Sequence, residues 1–256
     1  MANPVGTVTQ QPGGPPAPPG HQNLWMEKPS APANCPPGLE YLTQVDQVLA
    51  HQVLELLQMF TGWDTNNKYV IKNSMGQQIY YAMEDTSCCM RYCCGPQRGF
   101  TINVVDNYNN EVMRIERPFK YCATGTVCAS VCDCCAQEAE IQAPPGVPIG
   151  YVKQRSSCCT FNFEIQDADG EPHLFIDGPC LMCRCCSDVE FPVYTDSSKE
   201  EKVGNVTKQW SGLIKEMYTQ ADNFGVNFPM DLDVRMKATM IGALFLIDFM
   251  AFEQKK

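Results

Sequence analysis

What this chain has little of narrows its function first. Basic residues are scarce: 19 Lys and Arg stand against 29 Asp and Glu, for a net charge of −10. A broad grip on nucleic acid needs surplus Lys and Arg, so the balance argues against it. Histidine is scarcer still, with His21, His51 and His173 far apart. No GxSxG, P-loop, GxGxxG or HExxH pattern occurs, which leaves catalysis poorly supported. Residues 1–23 lack the apolar core and basic start of a signal peptide, so a reducing compartment is expected. Disulfides are rare there, and the sixteen cysteines are left to metal binding, lipidation or plain burial.

What is present is chain enough for one large domain or two small ones, at 256 residues. Residues 1–38 stand apart. They hold ten of the 19 prolines and only two charges, Glu27 and Lys28. This composition predicts a disordered, polyproline-prone arm. Pro15, Pro16, Pro18 and Pro19 contain two overlapping PxxP frames, which fit an SH3- or WW-type domain. A second domain is expected over 39–256.

Residues 39–61 read as an amphipathic helix. Leu42, Val45, Val48, Leu49, Leu56, Leu57 and Phe60 recur at spacings of three and four, and Gly62 gives a stop. Beyond residue 63 the pattern changes to short strands, for example Lys68–Lys72, Gln78–Met83, Phe100–Val105, Glu111–Glu116, Ile149–Lys153, Thr160–Gln166 and His173–Ile176. Turn signals at Asn66-Asn67, Asn109-Asn110, Asp169-Gly170 and Asp177-Gly178 separate them. Many short strands at regular spacing predict a mainly β sandwich or barrel. A helix is next expected at about Ser211–Gln220.

One long apolar run exists. Ala238–Phe252 carries a single charge, Asp248. As a helix it spans about 22 Å at 1.5 Å per residue. A bilayer core is about 30 Å thick, and a central aspartate is costly in lipid. Burial inside the protein is the expectation.

Two constellations carry chemistry. The segment Asp222–Asp233 (DNFGVNFPMDLD) offers Asp222, Asn223, Asn227, Asp231 and Asp233 as hard oxygen donors, which suits Ca²⁺. It is not an EF-hand, because Phe224, Val226 and Asn227 occupy positions three, five and six. The same segment also alternates, with Phe224, Val226, Phe228, Met230, Leu232 and Val234 on one face. That strand would set Asp231 and Asp233 side by side, about 6–7 Å apart. The second constellation is cysteine. Doublets occur at Cys88-Cys89, Cys93-Cys94 and Cys158-Cys159, with clusters at Cys122–Cys135 and Cys180–Cys186. Cys180-x2-Cys183 has acceptable zinc spacing, while clustered thiols near a membrane are typical acyl acceptors. Burial as small hydrophobes is the plain alternative. Cys128, Cys132, Cys134 and Cys135, in a turn-like stretch before Ala143-Pro144-Pro145-Gly146, are the best acylation candidates.

Six stretches then converge on a known family. PGLEYLTQV at Pro37–Val45, TNNKYVIKN at Thr65–Asn73, CCGP at Cys93–Pro96, EIQAPPGVPIGYV at Glu140–Val152, IDGPCLMCRCC at Ile176–Cys186 and Ala221–Phe252 resemble the phospholipid scramblases over about residues 37–253. The resemblance implies a Tubby-like fold, a closed antiparallel barrel of about twelve strands around the hydrophobic C-terminal helix. It implies Ca²⁺-activated, ATP-independent, bidirectional phospholipid movement with no bond made or broken. Its Ca²⁺ segment falls on Asp222–Asp233 and its acylated cluster on residues 128–135. The family is also described as single-span, with this helix crossing the plasma membrane. The expected location is therefore the plasma membrane, on its cytoplasmic face or as a single pass with a cytosolic N-terminus. Partners are then membrane phospholipids, proline-reading domains and further copies of the chain. The stretch matching some relatives' basic nuclear-import segment, Gly204–Leu213, has Lys208 as its only base. The rival reading is a membrane-tethered adaptor that binds a phosphoinositide or protein and moves no lipid.

Overall fold

The computed structural model describes residues 25–30, 32–53, 66–121, 133–157, 159–180, 189–209 and 223–253. Twelve strands run up and down: β1 (Gln47–Gln52), β2 (Lys68–Asn73), β3 (Gln78–Asp85), β4 (Phe100–Val105), β5 (Glu111–Arg117), β6 (Glu138–Gln142), β7 (Pro148–Arg155), β8 (Thr160–Asp167), β9 (Pro172–Cys180), β10 (Val189–Tyr194), β11 (Lys202–Gln209) and β12 (Asn223–Asn227). Each pairs antiparallel with its sequence neighbours, and β1 also pairs with β12, so the barrel closes. Closure leaves no sheet edge exposed. Among the described residues two α-helices join it: α1 (Cys88–Cys94) and α2 (Val234–Ile247), the latter extended by a π turn over Asp248–Phe252.

Alternation sets the walls. In β8, Phe161, Phe163 and Ile165 are buried while Asn162, Glu164 and Gln166 are partly exposed. Side chains at even spacing share one sheet face, and here that face is the barrel lumen. Hairpins are fixed by short polar side chains that bind their own turns. Asp106 Oδ1 accepts from the Tyr108 and Asn110 N–H groups at 2.9 Å. Asp167 Oδ1 does the same for Asp169 and Glu171 at 2.9 Å.

The lumen is filled by α2. Every residue from Lys237 to Phe249 is buried, so this helix is apolar all round because protein surrounds it. It lies close against β6 and β7. A Cβ on Gly242 would sit 2.5 Å from Ile141 Cγ1, and one on Gly150 would sit 2.6 Å from Thr239 Oγ1. The single charge in the apolar run is satisfied inside: the Tyr69 hydroxyl donates to Asp248 Oδ2 at 2.9 Å. Among the described residues no helix is long and apolar enough to cross a membrane.

The helix expected over 39–61 is not formed where the chain is described. Glu40–Gln44 is a single 3-10 turn and Gln47–Gln52 is β1. The turn sends Tyr41 and Leu42 into the core, which satisfies the apparent helical spacing, and Val48 and Ala50 then alternate inward. β1 has partners on both sides, β2 and β12. Tertiary pairing therefore outweighs local periodicity. Leu56, Leu57, Phe60 and the helix expected at Ser211–Gln220 lie outside the described residues. So do Pro15, Pro16, Pro18 and Pro19. The end of the expected arm is not free of the barrel. Trp25 bridges Gln78, Met26 N–H donates to Gln78 O at 2.9 Å, and Lys28 pairs with Glu40 at 3.2 Å.

Candidate functional site

Because α2 runs down the lumen, the barrel has two unlike mouths. At the first, β12 ends at Asn227 and the chain turns through 228–232 before α2 begins. Asp233 is the N-cap, its Oδ1 accepting the Arg235 N–H at 2.8 Å. Such a cap satisfies one of the unpaired donors of the first helical turn. One turn further in, Lys237 is fully buried. Its ammonium donates to the carbonyls of Leu42 (3.0 Å), Val45 (3.0 Å) and Met230 (2.7 Å) and lies 5.2 Å from the Phe228 ring centre. Burial lowers its pKa, and the Asp231 and Asp46 carboxylates oppose that shift. Lys237 thus staples the helix to the 3-10 turn and to the loop after β12, supplying three carbonyls that the sheet leaves unpaired.

This geometry divides the residues expected to hold Ca²⁺. Asn223 and Asn227 sit at opposite ends of β12, about 13 Å apart at 3.3 Å per residue. Ca²⁺ takes oxygen ligands at about 2.3–2.6 Å, so one ion cannot take both side chains. Asn223 is also engaged, its Oδ1 lying 2.7 Å from His51 Nδ1. Asp231 and Asp233 do share a mouth with Asn227, and all three are exposed. They are not neighbours on a strand, however. The strand stops at Asn227, and the expected alternation breaks in the turn, where Phe228 is buried and Leu232 half-buried but Met230 is exposed. Asp222 lies outside the described residues. Among the described residues no group of three His, Cys, Asp or Glu converges to hold a metal. Two carboxylates and an amide at one rim fit Ca²⁺ in donor chemistry and make a sparse shell.

The second mouth, at the end of α2, is built on buried charge. Arg98 is 1% exposed. It forks onto Glu84 (2.7 and 3.1 Å), pairs with Glu253 at 2.8 Å and lies over the Phe249 ring at 4.6 Å. Burial opposes its charge, but Glu84 and Glu253 outweigh that and raise its pKa above the ordinary arginine value. Arg117 is 2% exposed. Its guanidinium donates to Pro96 O at 3.0 Å and to Gln137 Oε1 at 3.2 and 2.8 Å. Burial, reinforced by Arg98, pushes its pKa down to about 10.

Cysteines ring this second mouth. Cys134 is exposed and Cys135 half-buried on the 3-10 turn Asp133–Cys135, whereas Cys128 and Cys132 lie outside the described residues. Cys88, Cys89 and Cys93 are exposed on α1. Lys237, Arg98, Glu84 and Arg117 are functional-looking groups that reading the sequence did not single out. No local signal marks them: Arg98 packs on Phe249 and Arg117 on Phe100, rings distant from each in the sequence.

A family model described as Scramblase matches residues 26–254. The chain is 56% identical over 232 residues to phospholipid scramblase 1 of Homo sapiens, covering 90% of this chain and 70% of that protein. It is 54% identical over 250 residues to phospholipid scramblase 2 of Bos taurus, covering 97% and 81% respectively. It is 48% identical over 219 residues to phospholipid scramblase family member 5 of Homo sapiens, covering 85% and 78%. No solved structure matches.

Proposed function

The chain belongs to the phospholipid scramblase family, and from that premise we propose that it moves phospholipids in both directions between membrane leaflets, without ATP and in response to Ca²⁺. The observation that carries this reading is the similarity to a protein named phospholipid scramblase 1 over 90% of this chain. No covalent step is involved, so no catalytic residue is assigned. The site of action is the plasma membrane, reached from its cytoplasmic face, with Cys128, Cys132, Cys134 and Cys135 as acyl acceptors.

Ca²⁺ supplies positive charge at the first mouth when bound. Asp231 and Asp233 would hold it, with Asn227 beside them. With its charge so offset, Asp231 would pull less on Lys237, whose ammonium joins α2 to Leu42, Val45 and Met230. Lys237 is the group through which a change at the rim reaches the core helix. Pro15, Pro16, Pro18 and Pro19 would recruit SH3- or WW-type domains, and copies of the chain would assemble at the membrane.

The test is reconstitution of the full chain into liposomes with a fluorescent phospholipid. The dithionite-accessible pool should rise above half only with both protein and Ca²⁺. Asp231→Ala should raise the Ca²⁺ concentration required severalfold. An unchanged Ca²⁺ response in that variant removes the rim from the mechanism. One observation favours a second reading, a tethered adaptor that moves no lipid: α2 is enclosed by the barrel wall, with Ala243, Leu244, Phe245 and Leu246 wholly buried. Removing residues 1–24 separates the two. A scramblase keeps its activity, whereas an adaptor loses its partners.

A further inference from the structure

Helix α1 has the composition of a core segment and the placement of a surface one. Its sequence is CCMRYCC, and none of its seven residues is buried. Cysteine is among the residue types most often found inside proteins, yet Cys88, Cys89 and Cys93 are exposed. Tyr92 between them is 52% exposed. The helix is nonetheless held firmly. Ser87 Oγ caps it by accepting the Met90 N–H at 3.3 Å, and Gly95 closes it with φ 55° and an N–H donated to Arg91 O. From its inner side the Arg91 guanidinium donates to Asn66 Oδ1 and to Thr86 O. A fixed scaffold therefore presents three thiols outward. Cys89 and Cys93 are four residues apart, on one helix face.

Neither of the usual structural uses of clustered thiols is seen among the described residues. Cys88, Cys89, Cys93 and Cys94 are all free thiols. Among the described residues no group of three metal-binding side chains converges. What the fold does supply is a neighbouring thiol cluster. The turn after α1 gives Pro96 O to Arg117, Arg117 reaches Gln137, and Gln137 Nε2 donates to Cys135 O at 3.3 Å. One buried guanidinium thus ties α1 and the Asp133–Cys135 turn to the same mouth. Aromatic rings share that rim. Tyr121 is 95% exposed and meets Phe119 edge-on at 5.0 Å, and Tyr92 on α1 is 52% exposed. Amphipathic rings of this kind are favoured at the membrane–water boundary. Glu138 at this rim is paired with Lys120 at 3.0 Å.

We propose that α1 is an S-acylation site distinct from the Cys128–Cys135 cluster, with Cys88, Cys89 and Cys93 as acceptors of long-chain fatty acyl groups. In the reaction a cysteine thiolate attacks the carbonyl carbon of an acyl thioester donor. A new C–S bond forms, the donor's C–S bond breaks, and the departing thiolate takes up the proton that the cysteine released. The consequence follows from chain arithmetic. A single acyl chain binds membranes only marginally, at about 10⁴ M⁻¹, and stable residence needs a second anchor. Two acylated elements at one mouth hold the barrel end-on. The proposal rests on the reading of the chain as membrane-associated, and not on its moving lipid.

The test uses the full chain expressed in cells, with hydroxylamine-dependent mass tagging that adds one increment per thioester. The variant Cys128→Ser/Cys132→Ser/Cys134→Ser/Cys135→Ser should keep at least one increment. Adding Cys88→Ser/Cys89→Ser/Cys93→Ser should remove it and lower the membrane-bound fraction at least tenfold. No increment in the first variant, or the same increments in the second, overturns the proposal. A readout that needs no variant guards against misfolding. Tryptic peptides 73–91 and 92–98 of the unmutated chain should carry acyl mass, and its absence from both overturns the proposal. Acylated α1 in a chain that fails to scramble would leave this inference standing and sink the proposed function alone.

Discussion

Asp248 distinguishes a helix that fills the barrel from one that crosses a membrane, because its removal has opposite signs in the two places. In lipid, an aspartate near a helix centre costs about 2.5–3.5 kcal/mol, so Asp248→Ala would stabilise a membrane-resident helix. In the barrel the carboxylate is 5% exposed and accepts the Tyr69 hydroxyl at 2.9 Å. Tyr69 is itself fully buried and packs edge-on against Phe245 at 4.9 Å, so its hydroxyl cannot turn to water. An orphaned buried donor costs about 1–3 kcal/mol, and the unfilled volume adds about 1 kcal/mol. The sum is about 2–4 kcal/mol of destabilisation. For a domain of this size that is a fall in Tm of about 4–16 °C, at about 2–4 °C per kcal/mol. The assay is a thermal melt of the purified chain and three variants: Asp248→Ala, Tyr69→Phe and the double change. Partners in contact should show a coupling energy of about 0.5–3 kcal/mol, the double variant losing less than the two single losses combined. A melt that rises in Asp248→Ala, or losses that simply add, would refute the placement of α2 in the lumen.

Lys237→Met should cost about 2–5 kcal/mol in urea unfolding, because it strands the buried carbonyls of Leu42 and Val45, and should speed hydrogen exchange in residues 40–46. Arg98→Leu leaves Glu84, whose side chain is 0% exposed, as an unpaired buried charge. It should cost about 3–5 kcal/mol, and a melt of Arg98→Leu/Glu84→Leu should recover part of that. Burial holds the Tyr69 and Tyr80 hydroxyls well above their ordinary pKa. The unfolded chain ionises them near pH 10 and the folded chain does not. Their contribution is therefore complete below pH 10 and is lost as pH rises above it, by up to about 1.4 kcal/mol per pH unit for each. Melts at pH 9 to 11.5 in reducing buffer should show that decline beginning near pH 10.

The sequence makes strands legible where one face is wet. β4 is found with both its ends, since Phe100, Ile102 and Val104 alternate with polar residues. β11 is missed because the two apolar side chains of Lys202–Gln209, Val203 and Val206, stand three apart and do not alternate. β6 is missed because its five residues run into the Ala143-Pro144-Pro145 turn signal. β1 reads as helix because its closing partner, β12, lies far away in the sequence. The candidate sites suffer from the same non-locality. Lys237 looks like a solvated flank of an apolar run, and only the folded chain brings three carbonyls to it. The oxygen donors of Asp222–Asp233 are close in sequence, yet an intervening strand carries Asn223 to the far end of the barrel. The cysteine clusters show the reverse: α1 and Asp133–Cys135 are some forty residues apart in sequence and share one rim.

Strand closure between β1 and β12, with the core helix following β12, has a consequence for how the molecule is made. A ribosome delivers the wall before its filling. At about 5–20 residues per second, roughly 10–40 s separate the emergence of β1 from that of α2. Throughout that interval the inward faces of the strands have nothing to pack against, and the first strand waits for the last. Long-range pairing of this kind folds slowly and exposes apolar surface on the way. The nascent wall therefore carries exposed apolar surface until α2 is available to cover it. Once α2 has emerged, and until it enters the lumen, a competing apolar environment can divert it.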